Sequence, residues 1–152
     1  MTEQIAFTKL KTYIAENTGI VYYRDKEPEL KRKIEKRFQA LGINTYEKYY
    51  RLIDQSTSTA EAEFDLLINE LTIGETYFFR EKEVFRGLKE TIIPAIIEKN
   101  KATRQIRIWS AGCSSGEEPY SMAIALTNRY GSYIKERVHI MACDLNGAAI
   151  QK

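Results

Sequence analysis

The chain has 152 residues, room for one ordinary domain or for a small domain and part of a second. Its 43% hydrophobic and 29% charged residues suit a globular protein, and a formal net charge of +2 gives no general attraction to nucleic acid. No apolar run nears bilayer length, which excludes direct membrane insertion, and two cysteines with a single histidine exclude a disulfide framework and a metal-ligand spacing.

The first half of the sequence reads as helical. A helix is predicted over about residues 3 to 17, with Phe7, Leu10, Tyr13 and Ile14 on one face and Gly19 as its stop. A second starts near Asp25, tolerates Pro28 in its first turn, and repeats Leu30, Ile34, Phe38 and Leu41 before Gly42. A third begins at Asn44, capped by that side chain with Glu47 reaching back, and turns Tyr46, Tyr49, Tyr50 and Ile53 inward. A fourth begins at Ser58 with a stripe of Phe64, Leu67, Ile68 and Leu71. Residues 1–71 therefore form a small all-α domain. Residues 72–100 hold a polar–aromatic break and a connecting helix from about Glu81 to Asn100, which Pro94 should kink or end. Residues 101–152 alternate strand and helix. A strand runs over Gln105 to Ser110, a helix from Glu118 to about Tyr130 with Gly131 as its stop, and a second strand over Val138 to Cys143. A further helix starts at Gly147.

Strand, turn, helix, strand is a βαβ unit, and ligands of such sheets bind at the carboxyl ends of the strands. The first strand ends at Ala111-Gly112 and the second at Asp144, so both ends face one crevice. The loop Gly112-Cys113-Ser114-Ser115-Gly116 lets backbone approach a nucleotide-like ligand. It carries no Lys and runs into Glu117 and Glu118, which repel anions and suit a hydroxyl or a cation. An adenosyl cofactor without phosphate, such as S-adenosylmethionine, fits these features. A G-x-G-x-x-G run is absent, which disfavours a nicotinamide enzyme. Asp144 suits a ribose, because a carboxylate accepts two hydroxyl bonds; it equally suits a turn that caps the next helix. Glu117 and Glu118 oppose the helix dipole, and one of the pair is expected in ligand contact. Cys113 reads as a small packing residue and His139 as a core histidine.

In Thr76-Tyr77-Phe78-Phe79-Arg80-Glu81, two adjacent Phe cannot share one core from a strand, so the segment should straddle two packed bodies. Arg80 is either an ordinary surface residue paired with Glu81 or Glu83, or a guanidinium whose pairing is strengthened by apolar walls.

Leu71-Thr72-Ile73-Gly74-Glu75-Thr76-Tyr77-Phe78-Phe79-Arg80 resembles the linker motif of the CheR family of chemotaxis receptor methyltransferases. The run from Trp109 through Gly116-Glu117-Glu118-Pro119-Tyr120-Ser121 resembles that family's first cofactor motif. Thr18-Gly19-Ile20 and the basic helix after Lys26 are similar to its amino-terminal domain, so the resemblance covers essentially the whole chain. It implies an α/β protein in which a helical receptor-docking domain precedes the first βαβ unit of a Rossmann-like class I methyltransferase domain, here truncated. It implies methyl transfer from S-adenosylmethionine to glutamate side chains of methyl-accepting chemotaxis receptors, with S-adenosylhomocysteine as product. Thr76, Arg80, Ala111, Gly112, Glu117 or Glu118, and Asp144 would touch the cofactor, and Arg80 would act in catalysis. Gly74 stands where many members carry Asn.

Lys33, Lys36 and Arg37, with Lys31 and Arg32, give the second helix a basic face. It is either a solvated face paired internally with Glu27, Glu29 and Glu35 or, as the resemblance favours, a surface for an acidic receptor helix. The expected location is the cytoplasm, at receptor clusters. Only two strands are visible, so the chain is expected to be nearly inactive alone and to associate or swap strands through its uncovered sheet. The competing reading is a non-catalytic interaction module on a vestigial nucleotide-binding scaffold.

Overall fold

A computed structural model describes residues 2–103 and 105–152. The chain divides into two compact units, Met1–Ile73 and Gly74–Lys152. The linker motif from Gly74 onward and the connecting helix thus belong with the strand-bearing half.

The first unit holds four helices, α1 (Glu3–Thr18), α2 (Glu27–Leu41), α3 (Tyr46–Ile53) and α4 (Ser58–Leu71). Its core gathers the expected stripes: Phe7, Leu10 and Ile14 from α1, Leu30, Ile34 and Phe38 from α2, Tyr49 and Ile53 from α3, and Leu67 and Leu71 from α4. Leu41 is exposed, because the stripe of α2 has rotated away from the core by its last turn. The cap of α3 is Thr45, not Asn44, and its hydroxyl accepts from Lys48 N. Glu3 of α1 adds a second bond at this helix start, its carboxylate accepting from Tyr46 N at 3.0 Å. A residue distant in sequence thus satisfies one of the free N–H groups at the start of α3. The last carbonyls of α4, which a helix cannot satisfy itself, take Tyr23 Oη at 2.6 Å on Leu71 and Lys33 Nζ on Glu70.

The basic face of α2 is spent largely on α4 rather than on α2's own carboxylates. Glu63 is buried, and Arg37 grips it with Nε at 2.9 Å and Nη2 at 2.8 Å. The hydroxyl of the fully buried Tyr49 donates to the same carboxylate at 2.8 Å. Lys36 pairs with Glu70 at 3.2 Å, and Lys31 lies 4.6 Å from the centre of the Phe7 ring. Arg37 is therefore an interior tie and no free docking cation. Burial, then the Glu63 carboxylate, pushes the Tyr49 phenol up. Burial likewise raises Tyr23, to about 12, with Glu29 adding to it.

The second unit begins with the linker and α5 (Lys82–Gly87), passes through a π-helical turn (Leu88–Ile92) and continues as α6 (Ile93–Lys99). Pro94 does not end the helix. Ile93 N reaches back five residues to Leu88 O, and Pro94 has no N–H to give Lys89 O in that register. Tyr130 Oη fills the gap, donating to Lys89 O at 2.7 Å. The strands are β1 (Ile106–Ala111) and β2 (Val138–Cys143), joined by α7 (Glu117–Tyr130) and a short α8 (Ser132–Lys135) that the sequence pattern did not reveal. They are parallel, with Ile106 opposite Val138 and Ala111 opposite Cys143. A final turn, α9 (Gly147–Ile150), follows Asp144.

One sheet face packs on α6, α7 and α8 through Ile93, Ile106, Leu126 and Ile134. The other carries Arg107, Trp109, His139 and Met141 and is open, with Trp109 and Met141 each 64% exposed. His139 is thus a surface residue, not a core one: strand alternation puts it beside Met141's face rather than beside Ile140's.

Candidate functional site

The carboxyl ends of the two strands, the loop between β1 and α7, and the linker meet at Ser114. This residue is buried and sits in the left-handed region at φ 49°. Its backbone N–H donates to Asp144 Oδ2 at 2.7 Å. Its hydroxyl donates to Gly74 O at 3.2 Å. One serine therefore joins the loop both to the acid after β2 and to Gly74 of the linker. The start of the loop is fixed as well, because Gly112 N and Cys113 N both donate to Cys143 O, at 2.8 and 3.0 Å.

Asp144 does not cap α9, a job that Asn146 performs by accepting from Ala149 N at 3.0 Å; it braces the turn before that helix and leaves room for more. Oδ1 accepts from Asn146 N and Oδ2 from Ser114 N, each at 2.7 Å. A carboxylate offers about four lone-pair sites, so two backbone bonds orient it without exhausting it.

The two glutamates separate into different roles. Glu117 accepts from Ser115 Oγ at 2.8 and 3.1 Å, within its own turn. Glu118 accepts at 2.7 Å from Ser110 Oγ, and Ser110 is buried near the end of β1. Glu118 is thereby drawn to the carboxyl end of the strand. Gly112, at φ 86°, and Ala111 beside it are exposed, and a Cβ added at Gly112 meets nothing within 4 Å. This is open backbone with acids on its flanks. That donor set fits a hydroxyl-bearing cationic ligand such as an adenosyl sulfonium and is wrong for a phosphate.

The linker lies over α7. Phe79 N donates to Ser121 Oγ at 2.9 Å, and Ser121 is fully buried. Phe79 packs edge-on against Phe85 at 5.5 Å, while Phe78 stays 54% exposed. The two rings therefore part company inside one turn. Arg80 pairs with neither Glu81 nor Glu83; the latter pairs with Arg86. The Arg80 guanidinium donates to Glu75 O and lies 5.9 Å from the Tyr77 ring centre, and among the described residues it makes no ion pair. Thr76, partly buried, lies within the loop that this bond closes.

Cys113 is buried. Burial, then the Asp144 carboxylate, pushes its thiol up, away from the thiolate a nucleophile needs. Among the described residues no cluster of acids, histidines or cysteines could hold a metal ion, and no helix is long and apolar enough to cross a membrane.

Ser110, Ser114 and Ser121 are the site residues that the sequence pattern did not mark. Each lies inside the motif, but a serine's role depends on what its hydroxyl meets across 8 to 42 residues of chain.

A Rossmann-like βαβ unit whose lysine-free loop is flanked by acids is the architecture with which a class I methyltransferase domain starts. Residues 74–152 match the family model described as CheR methyltransferase, SAM binding domain, and residues 5–72 match CheR methyltransferase, all-alpha domain. The chain belongs to the CheR methyltransferase family. It is similar to chemotaxis protein methyltransferase 2 of Vibrio cholerae, with 30% identity across 96% of this chain and 50% of that protein. It is also similar to the chemotaxis protein methyltransferases of Borreliella burgdorferi, with 32% identity across 91% of this chain and 50% of that protein, and of Salmonella typhimurium, with 30% identity across 100% and 51%. The chain spans about half the length of the curated relatives it matches.

Proposed function

We propose that this chain carries the receptor-docking domain and the first part of the cofactor site of an enzyme that methylates glutamate side chains of chemoreceptors. The observation that carries the reading is the junction at Ser114, where the loop after β1, Asp144 and the linker are tied together. The cofactor-binding set is Thr76, Arg80, Ala111, Gly112, Glu118 and Asp144. Asp144 would accept from ribose hydroxyls, and Ala111-Gly112 would let the nucleoside lie against backbone. Glu118 would face the cationic end of the ligand. Glu117, turned to Ser115, holds the loop and supports the site indirectly.

S-adenosylmethionine, when bound, supplies a methyl group on a sulfonium leaving group. The accepting glutamate is already ionised near neutral pH and needs no general base. The residues have only to align and to keep water out, which is proximity and electrostatics rather than proton transfer. Arg80 is the catalytic candidate because a guanidinium can orient a carboxylate through two parallel bonds. The set lacks a nucleophile–base pair, and the reaction requires none.

For receptor docking, Lys36 presents the freest of the three predicted cations, with its side chain 52% exposed. Lys33 and Arg37 serve α4 first. The exposed Arg32 lies one helical turn before Lys36 on the same side. An acidic receptor helix would meet this face at cytoplasmic receptor clusters.

Calorimetry with S-adenosylhomocysteine tests the cofactor reading. Asp144→Ala is expected to weaken binding about tenfold or more, the loss of charged hydrogen bonds. Arg80→Ala should weaken it less. No binding by a longer chain that completes the methyltransferase domain would favour the interaction-module reading instead.

A further inference from the structure

We propose that Ser121 is a positioning residue for Arg80, holding the strained turn that presents the guanidinium at the cofactor crevice. The inference rests on the cofactor reading above and deepens it. Arg80 stands between two left-handed residues, Phe79 at φ 57° and Glu81 at φ 60°. The remaining non-glycine residue with positive φ among those described is Ser114. Left-handed geometry is unfavourable for a residue with a Cβ, and it persists where surrounding contacts impose it.

The contact imposing it at Phe79 is the Ser121 hydroxyl. That hydroxyl has one proton, which goes to Glu117 O at 2.6 Å. Its lone pairs are then turned toward Phe79 N, 2.9 Å away. Ser121 is 0% exposed, so water has no route to replace it. A helical serine often bonds the carbonyl four residues back, a local contact within its own helix. Here the same atom also accepts from a backbone 42 residues away in sequence. The rest of the turn closes on itself. Arg80 N donates to Tyr77 O at 3.3 Å, the guanidinium donates to Glu75 O, and Val84 N donates to Glu81 O at 2.9 Å to start α5. Ser121 and Glu118 are three residues apart and so share a side of α7. The bond thus places Phe79, the residue before Arg80, near the turn of α7 that carries the carboxylate bonded to Ser110.

The test is a double-mutant cycle on the full chain with two readouts, exchange of the Phe79 amide proton and affinity for S-adenosylhomocysteine. Ser121→Ala is expected to speed Phe79 exchange about fivefold, the loss of one buried hydrogen bond, and to weaken binding by a similar factor. In an Arg80→Ala background the same substitution should cost less than about twofold, because residues acting as a unit are non-additive. Equal losses in both backgrounds would make Ser121 an ordinary packing residue and overturn the proposal, while binding sensitive to Arg80→Ala would leave the cofactor reading intact. Unchanged Phe79 exchange overturns it by itself, independently of any binding result. Should Ser121→Ala fail to fold, Ser121→Cys keeps the side-chain shape, slightly enlarged, with a weaker acceptor and should speed exchange by a smaller factor.

Discussion

The helical unit and the linker–loop region handle the same materials in opposite ways. In the helical unit every left-handed residue described is a glycine at a helix end, Gly19 or Gly42, and the buried acid Glu63 is answered by Arg37 and Tyr49. In the linker and loop, left-handed geometry falls on Phe79, Glu81 and Ser114, and the acids Glu118 and Asp144 accept from neutral donors, with no cation paired to them among the described residues. The first region is relaxed and electrostatically closed, as a stability element should be. The second stores strain and leaves negative charge open, the pattern expected where a ligand completes the structure.

The largest expected effect lies in the closed region. Glu63→Ala leaves a mostly buried guanidinium and a buried phenol without their acceptor, and it should cost about 3 kcal/mol in urea unfolding, the scale for breaking a buried pair. A loss under about 1 kcal/mol would mean that the pair is not what closes the unit. A charge reversal at Arg37 should unfold the domain before it informs on receptor docking; Lys36→Glu is the cleaner test, and should weaken binding to an acidic receptor helix while leaving the urea midpoint nearly unchanged.

The open region should respond with the other sign. Glu81 is exposed and left-handed. Glu81→Gly should therefore stabilise the second unit by about 1 kcal/mol in thermal melts, since glycine adopts that geometry without strain. A destabilised protein would show that the turn is not strained.

Alkaline titration sharpens the contrast further. The Tyr23 phenol is raised from 10.0 to about 12, and Tyr46 and Tyr49 are also raised by burial, each with a carboxylate on its hydroxyl. A raised folded value means that the unfolded chain releases its protons first. Stability is then complete below the unfolded pKa and is lost as pH rises from about 10 through 12. Urea midpoints should fall across that window, and Tyr23→Phe should flatten part of the fall.

The uncovered sheet face gives a smaller effect. Parallel sheets are ordinarily covered on both faces, so Trp109 and Met141 should drive weak, concentration-dependent association. Trp109→Lys should reduce the mass seen by light scattering; a monodisperse parent at every concentration would remove the premise. The smallest effect is at Gly74. A Cβ there meets Ser114 Oγ at 3.5 Å, an ordinary contact, so Gly74→Asn should fold normally and change the melting temperature little.

Sequence by itself determined the helical stripes, the βαβ order, the end of β2 at Cys143 and the acidic, lysine-free loop, because periodicity, glycine stops and charge are local properties. It singled out Asp144, Glu118 and Arg80 as candidates. Only the tertiary structure decided which basic residues of α2 are free, because Glu63 and Glu70 arrive from another helix. It also decided that Glu3 completes the start of α3, that Tyr130 lets the chain pass Pro94 through a π turn, and that His139 faces outward. The three serines became legible for the same reason: a hydroxyl's chemistry is set by the partner across the fold, and no pattern in a linear chain records which backbone it will meet.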